Sequence, residues 1–121
     1  MAQAPLRAET GHQDVSPKVL SDFSTTSLVR YATEASEREG INTKDFLATL
    51  WCESHWKWNA RGDYATSTGY TSFGIAQLHY PSRDWGISTS TALNPYVSID
   101  IAAAAFSNGE MHRWTCYRHY S

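Results

Sequence analysis

The sequence predicts a mainly α, α+β domain: a small helical body carrying one turn-rich segment, with a substrate groove where the two meet. Three observations predict it. Apolar residues recur at helical spacing from Thr26 to Glu39, from Thr43 to about Ser54, and from Pro95 to Phe106. Between the second and third of these, Lys57 to Arg83 is punctuated by Gly62, Asp63, Ser67, Thr68, Gly69, Thr71, Ser72 and Gly74, a pattern of turns around a short β-hairpin. Finally, 121 residues, 41% of them hydrophobic and 13% aromatic, suffice for one modest core and not for two.

Residues 1–24 mix Pro, Gly, His and Gln with few large apolar side chains, so they read as a partly ordered lead-in docked by Val19, Leu20 and Phe23. The domain proper is expected over 25–121. In the first helix Leu28, Val29, Ala32 and Ala35 share a face, Glu34 and Arg38 are spaced to pair at i,i+4, and Gly40 supplies the stop. The second helix has Asn42 or Thr43 as its cap, Lys44 and Asp45 in its first turn, and Phe46, Leu47, Leu50 and Trp51 as a buried stripe. Its end is expected near Ser54 to Trp56. Asn94-Pro95 opens the third helix, because proline suits the first helical turn; Ile99 to Phe106 is rich in alanine, and Asn108-Gly109 closes it. Met111, Trp114 and Tyr117 recur at i, i+3 and i+6, which predicts a last short helix packed on the core.

Charge and composition exclude some functions. Ten basic against twelve acidic side chains give a net charge of −2 with no basic cluster, which argues against a nucleic-acid partner. No run of about 18 apolar residues is present, so no membrane span is expected. The opening lacks the charged start and continuous apolar stretch of a secretory leader, which leaves an export signal absent, already removed or supplied by another route. Cys52 and Cys116 allow a disulfide, two free thiols or half of a metal site.

Glu53 carries the chemistry. It shares a helix face with Phe46 and Leu50 at i, i+4 and i+7, so a carboxylate points inward. Apolar surroundings and the negative end of the helix dipole both disfavour its ionised form. A carboxyl that holds its proton near neutral pH can protonate the leaving oxygen of a sugar linkage. The competing reading has Glu53 reach water from a frayed helix end, or pair with an arginine.

The surroundings favour the first reading. Glu53-Ser54-His55-Trp56, followed about twenty residues later by Ser72-Phe73-Gly74-Ile75-Ala76-Gln77-Leu78, resembles the Glu-Ser and Gly-Leu-Met-Gln motifs of soluble lytic transglycosylases and goose-type lysozymes. Asn94-Pro95 with Ile99 to Phe106 is similar to the family's proline-containing helix, and Trp114-Thr115-Cys116-Tyr117 to its closing segment, so the likeness covers roughly Leu28 to Tyr117. The chain departs from the pattern at Ala76, Ser98, Ala102 and Arg118, positions that bear on groove polarity.

The resemblance implies a lysozyme-like fold and cleavage of the β-1,4 bond between N-acetylmuramic acid and N-acetylglucosamine, with peptidoglycan glycan strands as partner and no metal or other cofactor. By position, Glu53 is the single acid and base, Ser54 the hydroxyl beside it, Ser72 and Gln77 substrate-binding residues of the sugar groove, and Tyr117 the aromatic that contacts the carboxyl. Each has an ordinary structural alternative: Ser54 as a cap, Gln77 as a solvent residue, Tyr117 as core.

A single carboxylate implies a lytic transglycosylase that forms 1,6-anhydro ends, Glu53 taking the proton of the sugar's own C6 hydroxyl. Most glycosidases use two carboxylates. Asp63, in Arg61-Gly62-Asp63, resembles the aspartate that positions water in goose-type lysozymes, and as a partner it would make the protein a hydrolytic muramidase; in a turn it equally caps its own backbone. A non-catalytic glycan-binding module is a further alternative. A Cys2His2 zinc module from Cys52, His55, Cys116 and His119 is another, although the spacing is unlike compact zinc modules. A Cys52–Cys116 bridge tying the catalytic helix to the last one is favoured and implies an extracytoplasmic setting: periplasm, cell wall, secreted or phage-associated. A monomer is expected.

Overall fold

Helix α1 (Thr25–Glu39) starts where the Ser24 hydroxyl accepts the Ser27 N–H, and it ends at Gly40. Helix α2 (Thr43–Ser54) follows after two residues, with the Asn42 side chain accepting the Asp45 N–H. The structure, a computed structural model, describes residues 21–120. Most of the lead-in, with Val19 and Leu20, lies outside the described residues. Phe23 is described, and its ring packs 5.2 Å from Trp58 and 6.0 Å from Tyr96.

The turn-rich segment holds more sheet than a hairpin. Strands β1 (Arg61–Ala65), β2 (Gly69–Phe73) and β3 (Leu78–His79) form an antiparallel sheet in the order β1-β2-β3. Its register sets Gly62 opposite Ser72, Tyr64 opposite Tyr70, and Ser72 opposite His79. A single π-helical turn (Pro81–Trp85) and a one-turn helix α3 (Thr89–Ala92) lead to α4 (Pro95–Ser107), capped by the Asn94 side chain. The expected last helix is divided. A 3-10 turn (Met111–Arg113) and α5 (Thr115–Tyr120) are separated by Trp114 in an extended conformation.

The core lies between α1, α2 and α4. Leu28, Ala32 and Ala35 of α1, Phe46 and Leu50 of α2, and Ile99, Ala102, Ala103 and Phe106 of α4 are all buried. Small residues on α1 and α4 suit the close packing of these two helices, the most extensive helix pair in the fold. The Phe106 ring stands 5.1 Å from Phe46, 5.3 Å from Trp114 and 5.5 Å from Tyr117, so α2, α4 and the C-terminal segment meet on one side chain.

Two expectations are corrected. Trp51 is 49% exposed instead of buried, with its ring edge-on to His55. At about 100° per residue it stands roughly 140° around the helix from Phe46, whereas Glu53 stands about 20° from it. Arg38 does not pair with Glu34. Its guanidinium reaches Asp100 of α4 at 3.2 Å, where the carboxylate also accepts the Tyr31 hydroxyl at 2.9 Å. Burial and that neighbouring carboxylate push the Tyr31 phenol well above its ordinary range.

Candidate active site

Glu53 is the penultimate residue of α2, half-buried, in the wall of an open cavity of about 520 Å³. Burial is the main cause that raises its pKa; the nearby charge of Asp63 adds to it, and a hydrogen bond from the Cys116 N–H opposes it. That bond is long, 3.4 Å to Oε2, and burial outweighs it. No basic side chain stands in the last turn of α2 to favour the ionised form. The helix then stops abruptly: His55 and Trp56 both take the left-handed conformation, φ 53° and 62°.

Asp63 lines the same cavity, on β1. Its carbonyl accepts the Thr71 hydroxyl at 2.6 Å and its carboxylate accepts the Ser72 hydroxyl at 2.5 Å. The Ser72 oxygen also lies 2.9 Å from His79 Nδ1. With its one hydrogen on Asp63, this hydroxyl can only accept from the imidazole, which requires the proton on Nδ1. His79 Nδ1 is itself 3.8 Å from the carboxylate. Asp63 is thus held by a serine and a histidine from two neighbouring strands while its side chain stays 69% exposed toward the cavity.

The turn Gly74–Gln77, which brings Gln77 to the cavity, is fixed from several directions. The Gly74 N–H bonds Ala60, the Ala76 N–H bonds the Ser98 hydroxyl of α4, and Trp114 Nε1 bonds the Ala76 carbonyl. Gly74 (φ 87°) leaves no room for a Cβ, which would collide with the Ala92 carbonyl. Gln77 enters the cavity wall, but both its amide hydrogen bonds run to backbone, to Ala60 at 3.1 Å and Gly74 at 2.9 Å. Its Oε1 fills the space that a Cβ on Gly62 would take. Gln77 therefore acts first as a strut between the turn and β1.

The predicted site residues divide accordingly. Glu53, Asp63, Ser72 and Gln77 come together. Ser54 does not join them: it is buried, and its hydroxyl donates back to the Leu50 carbonyl. Tyr117 does not reach Glu53 either. It packs on Phe106 and His112 and lines a separate hollow beside Glu39 and Ile41, and the contact from α5 to the carboxyl is the neighbouring Cys116 amide. Sequence reasoning missed His79, Thr71 and Arg113. The first two come from strand register; Arg113 is held over the Trp85 ring at 3.9 Å and paired with Glu110 at 2.9 Å.

Cys52 and Cys116 form a disulfide across 64 residues, so neither sulfur is left as a thiolate and the zinc module is overturned; the His119 side chain lies outside the described residues. Among the described residues, no three His, Cys, Asp or Glu side chains converge as metal ligands, and no helix is long and apolar enough to cross a membrane. Comparison with known proteins adds no relative: no protein-family model matches the chain, no curated protein matches it, and no solved structure matches it.

Proposed function

We propose that this protein is a lysozyme-like glycosidase that cleaves the β-1,4 bonds of peptidoglycan glycan strands in an extracytoplasmic setting, with Glu53 as the acid. The observation that carries this reading is a half-buried carboxyl of raised pKa that shares one open cavity with a second carboxylate, Asp63. Protonated Glu53 donates its proton to the glycosidic oxygen as the bond to the anomeric carbon breaks. The positive charge that develops on the sugar is stabilised by the two carboxylates.

From the sequence, the lack of a convincing second carboxylate favoured an intramolecular outcome and an anhydro product. Asp63, braced by Ser72 and His79 beside Glu53, favours hydrolysis instead: its carboxylate takes a proton from water as the oxygen attacks the anomeric carbon. The disulfide agrees with an oxidising compartment.

The test is clearing of purified cell walls, with mass analysis of the released fragments. Wild type should clear walls and release reducing ends, and Glu53→Gln should lose at least about a hundredfold in rate while keeping its circular dichroism spectrum. Equal clearing by both proteins would refute Glu53 as the acid. Anhydro ends would return the intramolecular route.

A further inference from the structure

Two exposed aromatic side chains of the sheet take no part in the core. Tyr64 and Tyr70 are 67% and 50% exposed, lie opposite one another on β1 and β2, and meet edge to face at 5.3 Å. They are placed at a junction. Tyr64 is in the wall of the Glu53 cavity, while Tyr70 is in the wall of a neighbouring hollow of about 440 Å³, and the two spaces share Thr71 and Tyr80. The Glu53 cavity also adjoins a smaller hollow of about 150 Å³, with which it shares Gln77, His79, Arg113 and Trp114. The space that holds Glu53 is therefore open and continuous with two others.

We infer that Tyr64 and Tyr70 form a stacking platform that carries a glycan strand from the Glu53 cavity into the adjoining hollow, so that the protein binds long strands across their interior and cuts them internally. The inference rests on the glycosidase reading and names the form of substrate that the site takes. Three features argue for a polysaccharide as the occupant. The apolar faces of sugar rings stack on exposed aromatic rings such as Tyr64 and Tyr70. The shared wall supplies the Tyr80 hydroxyl and the Thr71 oxygen as an acceptor, and the neighbouring hollow adds the Thr68 hydroxyl, groups that bond sugar hydroxyls without a charge to desolvate. The aromatic surface is also continuous with the acid's own cavity, which a separate protein-docking patch would not need.

A cross-strand aromatic pair also stabilises a hairpin, and the experiment separates the two roles. Peptide-free glycan strands of graded length are given to wild type, Tyr70→Phe and Tyr70→Val, valine keeping strand propensity while removing the aromatic face. The same two substitutions are made in the Glu53→Gln background, where binding is measured without turnover. Wild type should shorten long strands to intermediate lengths before disaccharides accumulate. Tyr70→Val should raise KM on long strands roughly five- to tenfold, more than on a tetrasaccharide, and weaken binding in the Glu53→Gln background by a similar factor. Tyr70→Phe should behave as wild type in both. Disaccharides released from the outset would overturn internal cutting, and long-strand binding by Tyr70→Val equal to that of Tyr70→Phe would overturn the platform. Strands that bind through Tyr70 but are never cut would leave the platform standing and refute the acid.

Discussion

The helices and the hairpin treat the backbone in opposite ways. In α1, α2 and α4 the ends are closed by Ser24, Asn42 and Asn94 side chains, and the inward faces are apolar. From His55 to Tyr80, five non-glycine residues take positive φ, namely His55, Trp56, Asp63, Gln77 and Tyr80, and no other described non-glycine residue does. Three of them line the Glu53 cavity. Such conformations cost on the order of 1 kcal/mol or more each, and they persist only where surrounding structure holds them. The difference teaches a division of labour: the helical frame supplies stability and fixes Glu53, and the sheet spends some of that stability to bring polar side chains into the same cavity.

Substitutions sharpen or break that division. The largest effect belongs to the frame. Phe106→Ala should lower unfolding free energy by about 3–5 kcal/mol in urea melts, because its ring joins three elements. A loss under about 1 kcal/mol would mean the core is not centred there. Reduction of Cys52–Cys116 comes next, at about 2–4 kcal/mol, the usual range for a native disulfide, and activity should fall together with stability because the bridge holds the Cys116 amide against Glu53. Full activity after reduction would break the link between frame and acid.

Gly62→Ala should cost about 1–2 kcal/mol, since the new methyl displaces Gln77 from between the turn and β1; an unchanged melt would show that the strut gives way freely. Asp63→Asn should leave stability within about 0.5 kcal/mol while wall clearing drops by about a hundredfold. Equal losses of stability and activity would mean that Asp63 belongs to the frame. The smallest effect is electrostatic. A carboxyl whose pKa is raised in the fold keeps its proton there longer than in the unfolded chain, so its contribution to stability declines as pH rises from the ordinary carboxyl range through the raised value. Glu53→Gln should therefore be somewhat more stable than wild type at neutral pH, with the advantage vanishing in acid, as paired melts at pH 3 and 7 would reveal.

What was legible in the sequence follows the same divide. Caps and periodicity are local, so Asn42, Gly40 and Asn94-Pro95 marked the helices, and the phase of α2 turned Glu53 inward. Ser72, His79 and Asp63 meet through strand register, a pairing of residues seven to nine apart with no local signal for which faces which. Tyr117 is expected beside Glu53 only by its position in the resemblance; its helical spacing with Met111 and Trp114 points to the core, and there the ring packs, on Phe106, while the extended backbone at Trp114 divides the helix. Ser54 was misread because a hydroxyl in the last turn of a helix has a carbonyl four residues back as its nearest acceptor.

The disulfide also has a topological consequence. Every peptide bond between Cys52 and Cys116 lies inside one covalent ring, including the exposed connection 66–68 between β1 and β2. A single proteolytic cut there opens the ring without separating the pieces, so the half with Glu53 and the half with Ser72 and His79 stay in one molecule. Loop tips are where proteases cut first. In surroundings rich in proteases, this protein can be nicked at this exposed turn and still travel as a single disulfide-linked body, its covalent unity lost only when a reductant arrives.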